Sequence, residues 1–150
     1  MFSTILLINE RENNMAFDLQ TQDYSKSAEL GYEFELKLPT GEGSGAFLTV
    51  IGDYSPTVKQ YSKRKYQEFT QRQAIAKRKG KEEELSLEDA ENLAIEAALV
   101  RLIGWRGFTE EGKEVKFSKD KAREVLTQHS WIRDQISDES SDVLNFRPKI

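Results

Sequence analysis

His129 is the only histidine in the chain, which makes it the sole candidate for a general base of the Ser-His kind, and no nucleophile motif surrounds it. It falls at the end of a helical pattern, where the negative end of the helix dipole accommodates it without any catalytic role. Cysteine is absent, which removes thiolate nucleophiles, disulfides and zinc sites built on Cys, and one histidine cannot supply a multi-His metal site. Carboxylates are plentiful, 26 in all, but no pair sits in a motif or apolar stretch that would tune one as acid and the other as base. The glycines of Thr40-Gly41-Glu42-Gly43-Ser44-Gly45 invite comparison with a phosphate cradle. Such a loop ends in Gly-Lys-Ser/Thr and opens a helix, whereas here an apolar strand follows. These residues predict no enzyme, no cofactor and no metal.

A different chemistry is suggested by charge. Between Lys59 and Lys81 nine basic residues stand against the single acid Glu68, interleaved with Tyr61, Tyr66 and Phe69. That is the composition of a nucleic-acid face, with Lys77, Arg78 and Lys79 as its densest part. From Glu82 to Glu96 there follow seven acids and no base. The simpler expectation is that the basic end of one helix meets the acidic start of the next across their connection, each also complementing its own dipole. The overall net charge of −4 points the same way, towards solubility and away from wholesale nucleic-acid binding.

These residues have to be positioned by a fold, and its centre is Ser86–Trp105. Ser86 with Asp89 three residues on resembles a capping box. Leu93, Ala94, Ala97, Ala98, Val100 and Leu102 recur at helical spacing, with Ile95, Leu99 and Ile103 as a second apolar row. Gly104 is expected to stop the helix as a left-handed C-cap, and Trp105 to pack back over its end. The run is too short and too charged for a bilayer span.

Upstream, Ile5–Ile8 is an apolar patch with no basic flank and no cleavage site, so a secretory signal is rejected. Met15 opens a stretch that reads as a fresh N-terminus, and residues 1–31 are expected to be a poorly ordered extension with Met15 as the native start. Tyr32, Phe34, Leu36 and Leu38 alternate with Glu33, Glu35 and Lys37, as in a half-buried strand. Pro39 ends it, and Phe47–Ile51 supplies the second strand of a β-hairpin. Ser55-Pro56 then starts an amphipathic helix running to Gly80, with Val58, Tyr61, Lys65, Phe69 and Ala76 on one side. Beyond Trp105, Glu111-Gly112 marks a turn between short extended pieces. Ser118 caps a helix carrying Ala122, Val125 and Leu126, and Trp131, Ile132, Gln135 and Ile136 continue an apolar stripe. Residues 137–150 read as a flexible tail ending in a hydrophobic hook around Phe146.

The expected fold is α+β and predominantly helical: an N-terminal β-hairpin followed by a bundle of three to four helices, one domain over residues 32–136. A chain of 150 residues is long enough to bury a core of its own.

Several of these pieces in this order carry a resemblance. The hairpin, Gly52-Asp53-Tyr54-Ser55 opening a helix, Ile103-Gly104-Trp105, Glu111-Gly112-Lys113, Phe117-Ser118, Trp131-Ile132-Arg133-Asp134-Gln135-Ile136 and Asn145-Phe146 together resemble the tail assembly chaperones of long-tailed bacteriophages and prophages. The resemblance spans about Tyr32 to Phe146 and rests on the order of weak motifs. It implies a non-enzymatic protein of the host cytoplasm that binds the tape-measure protein, and in some systems the tail-tube subunit, and is absent from the finished virion. Self-association is a further option. A helix-in-groove mode would cover the apolar stripes of such a client. Trp105, Phe108, Trp131 and Phe146 are the expected aromatic anchors, with Arg133 as a charged partner. The competing reading of the same aromatics is ordinary packing at helix ends, and Phe146 separates the two. Two alternatives remain at this point: a nucleic-acid-binding accessory protein using Lys77, Arg78 and Lys79, and a head-to-tail connector retained in the virion.

Overall fold

A computed structural model describes residues 16–82 and 84–148. The expected start at Met15 and the apolar patch Ile5–Ile8 lie outside the described residues. Within them the fold is α+β, an N-terminal hairpin followed by helices, as the patterning predicts.

Strand β1 (Tyr32–Lys37) buries Phe34 and Leu36 and exposes Glu33 and Glu35. It pairs antiparallel with β2 (Gly43–Val50), Phe34 opposite Leu48 and Tyr32 opposite Val50. Leu38 leaves the inward face, because the chain turns there: its N–H donates to the Glu42 carbonyl (2.8 Å) and its carbonyl accepts from Gly41 N–H (2.8 Å). The register slips between Glu35 and Lys37, where the Ser44 hydroxyl donates to the Leu36 carbonyl at 2.5 Å. Gly43 and Gly45 are thus strand residues, and the glycine loop builds no phosphate cradle.

Helix α2 (Pro56–Arg78) starts as expected, with buried Ser55 Oγ accepting from Val58 N–H at 3.3 Å. Helix α3 (Leu87–Arg101) starts with Ser86 Oγ accepting from Asp89 N–H at 3.0 Å. Its second half buries Ile95, Ala98 and Leu99. Its end departs from the expected glycine cap. Residues Leu102–Arg106 form strand β3, which pairs antiparallel with β2, Leu48 opposite Trp105 and Val50 opposite Leu102, giving the sheet order β1-β2-β3. Gly104 is therefore a strand residue and no helix cap. The open edge of β2 offers ladder hydrogen bonds that a further helical turn would forgo. Lys119 serves instead of a glycine cap, its ammonium donating to the carbonyls of Leu99 and Leu102. Burial pulls the Lys119 pKa down.

Strands β4 (Thr109–Glu110) and β5 (Lys113–Glu114) form a small hairpin, closed by Glu111 and Gly112, both at positive φ (51° and 77°). That is the backbone demanded by a two-residue hairpin turn. Helix α4 (Lys119–Gln128) begins at Ser118, whose hydroxyl accepts from Lys121 N–H at 3.1 Å, and α5 (Ser130–Ser141) follows after the single joint residue His129. Ala122 and Leu126 from α4, and Ile132 and Ile136 from α5, meet α3 and the inner face of the sheet in one core.

Both ends of the expected domain move outward. Residues Tyr24–Leu30 form helix α1, capped by Asp23, with Ala28 fully buried. Residues 137–146 are packed structure, in contrast to the expected flexible tail: α5 runs to Ser141 and a 3-10 turn covers Val143–Phe146. Phe146 is only 4% exposed, with its ring edge-on to Tyr32 at 6.1 Å. Ser27 Oγ donates to the Phe146 carbonyl (2.5 Å), Asn145 Nδ2 to the Glu139 side chain (2.7 Å), and Asp53 N–H to the Ser140 carbonyl (3.0 Å). These polar, weakly periodic segments give little local signal, and long-range contacts decide their burial.

On the outer face of the sheet, Arg106 forks onto Glu33 at 2.8 to 3.3 Å and its guanidinium lies over the Phe47 ring at 4.0 Å. The fork holds the Glu33 carboxyl below its ordinary value. A carboxylate depressed in the folded state contributes stability that is present above its unfolded pKa and lost as pH falls through its folded one. Glu33→Gln is therefore expected to flatten the acid limb of the Tm profile below about pH 4, with no change at neutral pH beyond the small loss of a surface ion pair. A thermal melt series against pH reads this directly, and an unchanged acid limb would refute it. No helix among the described residues is long and apolar enough to cross a membrane.

Candidate functional site

The expected anchors divide into two groups. Trp105 and Phe146 are structural. Trp105 Nε1 donates to the Val115 carbonyl at 2.8 Å, and its ring meets Phe108 (4.9 Å) and Phe117 (5.0 Å) edge-on. In this way it fastens the β4–β5 excursion to the sheet. Phe146 is a core residue and not a hook on a mobile lead, because the turn that carries it packs against α1 and β1. Arg133 is engaged within the fold: its Nη1 donates to the Leu126 carbonyl at 2.8 Å and lies 3.9 Å from Glu91.

Phe108 and Trp131 are brought together. Both are half-buried and line one surface groove of about 190 Å³ between the β4–β5 hairpin and helices α4 and α5. Val115, Val125 and buried Ile132 also line it, and Lys121 stands at its side, ion-paired to Glu110 (3.0 Å) and Glu124 (3.4 Å). Those two carboxylates raise the Lys121 pKa, the Glu110 hydrogen bond most. The pairs are solvent-exposed and hold the rim in place more than they stabilise the fold. His129 lines the same groove with its ring edge-on to Trp131 at 6.0 Å. Nothing in the spacing of Phe108 and Trp131 announces a shared groove, because the β4–β5 hairpin and helix α4 separate them.

The alternative basic surface also differs from expectation. Helix α2 is tied to α3 by Lys65–Glu96 at 2.7 Å, near the middle of α2; among the described residues no ion pair joins Lys77, Arg78 or Lys79 to Glu88 or Asp89. The charges of the helix ends complement their own dipoles, Lys77 and Arg78 in the last turn of α2 and Glu88 and Asp89 in the first turn of α3. Beyond Lys65 the two helices leave apolar side chains uncovered. Phe69 is among them, although its spacing puts it on the side expected to pack. Within the described residues no group of three or more Asp, Glu or His is placed to hold a metal ion.

Fold and groove together define a small α+β protein with a surface groove lined by Phe108, Val115, Val125, Trp131 and Ile132. The chain belongs to the YdaY prophage protein family, whose sequence pattern matches residues 58–150, from the first turn of α2 through the groove to the last residue. No curated protein matches the chain, and no solved structure does.

Proposed function

We propose that this prophage protein is a tail assembly chaperone and acts by binding, without catalysis. Its client is the tape-measure protein, with tail-tube subunits as a second client, and it keeps them soluble and delays tail polymerisation. It works in the host cytoplasm and is left behind by the finished virion. The observation that carries the reading is the groove between Phe108 and Trp131. A tape-measure chain presents apolar helical stripes, and a groove of this size seats one large apolar side chain of such a stripe while the rest of the helix lies across the surface. Trp131 is the anchor and Phe108 a second aromatic of the lining.

Co-expression with the tape-measure protein of the same prophage, followed by size-exclusion chromatography, tests this. The expected result is a soluble client that co-elutes with the chain. Trp131→Ala and Phe108→Ala are expected to weaken the complex by about 10- to 100-fold, as for other aromatic anchors. An insoluble client beside a chain that elutes alone would overturn the proposal. Mass spectrometry of purified virions separates the chaperone, absent from the particle, from a head-to-tail connector that stays in it.

A further inference from the structure

The outer halves of α2 and α3 form an arm that the groove does not use. Along α2 the only buried residue is Val58, and Tyr66, Phe69 and Ile75 are exposed. Leu85, Leu87 (87% exposed) and Leu93 continue the uncovered apolar surface into α3. Helix burial resumes at Ile95, close to the Lys65–Glu96 pair. A helical arm with this many exposed large apolar side chains is unusual on a free monomer.

Its charges are as informative. Lys77, Arg78, Lys79 and Lys81 lie at one end of the arm, and Glu82, Glu84, Glu88 and Asp89 follow directly in the chain. Among the described residues none of these eight makes an ion pair. Two blocks of opposite sign thus stand next to each other at the end of the arm, beside exposed Ile75, Leu85 and Leu87, without ion pairs between them. A uniformly charged ligand satisfies only one of them: a phosphate backbone lying on the basic block would be repelled by the acidic one. A surface that carries both complements another copy of itself, since a two-fold axis sets each basic block against an acidic block twice over.

We propose that this arm is a homodimer interface, in which the α2–α3 arm of one copy lies antiparallel against the arm of a second copy. The two arms overlap at their charged ends, where Ile75, Leu85 and Leu87 make the apolar part of the interface and the two charge blocks set its orientation. The interface is separate from the Phe108–Trp131 groove and does not depend on the chaperone reading.

The test is the mass of the full chain in solution by sedimentation, together with charge swapping. The wild-type chain is expected to be a dimer at micromolar concentration that loosens at high salt. Lys77→Glu/Arg78→Glu/Lys79→Glu and, separately, Glu84→Lys/Glu88→Lys/Asp89→Lys are each expected to weaken self-association by about a hundredfold or more through like-charge contact. Mixing the two variants should restore a dimer. A monomeric wild type overturns the proposal whatever the variants do, so a variant that fails to fold does not shelter it. A dimer indifferent to both variants, or a mixture that does not pair, overturns it as well. If the wild type is monomeric and is retained on mixed-sequence duplex DNA, with retention lost in the Lys77→Glu/Arg78→Glu/Lys79→Glu variant, the arm is a nucleic-acid face instead.

Discussion

Phe146→Ala is expected to destabilise the folded chain by about 3 to 5 kcal/mol. The ring is 4% exposed and edge-on to Tyr32. Opposite it lies Gly52, where even a single Cβ would come within 2.9 Å of Phe146 Cδ2 and 3.0 Å of the Ala28 side chain. Neighbours this small cannot collapse into the space a deleted ring leaves, so both the transfer and the cavity cost are incurred. Phe146 also holds the four-residue 3-10 turn against α1, helped by the Ser27 hydroxyl on its carbonyl. Its loss should release the chain from Val143 onward. A melting temperature lower by about 10 °C and faster amide exchange in residues 143–146 are the expected readings. Gly52→Ala tests the same contact from the other side and is expected to cost about 1 to 3 kcal/mol by overpacking. Were Phe146 an anchor for a partner, its removal would leave stability untouched and weaken the complex; unchanged melting would therefore refute the core assignment.

Trp105→Ala is expected to cost a similar ~3 to 5 kcal/mol and to dismantle the groove as well. Strands β4 and β5 have two residues each, and an isolated two-stranded hairpin is marginal in water. What ties this one down is Trp105, through its ring contacts with Phe108 and Phe117 and its indole N–H on the Val115 carbonyl. Without it, Phe108 loses its backing and the groove its wall. The Trp105→Phe variant keeps an aromatic ring and leaves the Val115 carbonyl unpaired, so about 1 to 3 kcal/mol should go while the groove survives. Denaturant unfolding paired with binding of the proposed tape-measure client separates the two: the alanine variant should lose both stability and binding, the phenylalanine variant chiefly stability. A Trp105→Ala chain as stable as the wild type would show that the hairpin is held by other contacts.

The parts of the fold legible in the sequence are those governed by interactions a few residues long. Ser55, Ser86 and Ser118 are legible as helix starts because each hydroxyl accepts from a backbone N–H three residues on. Tyr32–Lys37 is legible as a strand because its alternation matches the pleat, and the hairpin because Pro39 and the glycines separate two such runs. The absence of cysteine and the single histidine bound the chemistry by composition alone.

Only the tertiary structure decided the rest. Leu102 and Ile103 continue the helical spacing set by Leu99, and the vacant edge of β2, with Lys119 closing the helix end, drew them into a strand. Helix α1 and Phe146 are short and locally weak, and become ordered parts of the core through contacts between distant parts of the chain, such as Ser27 with Phe146. The groove exists because two half-buried aromatics, one from the β3–β4 connection and one from α5, both line it. The charge blocks, adjacent in sequence, stay unpaired because α2 and α3 run out as helices with their ends complementing their own dipoles. Caps and periodicity are local and can be read along the chain; burial, edge pairing and grooves depend on which distant segments meet, and those meetings are settled only when the whole core packs.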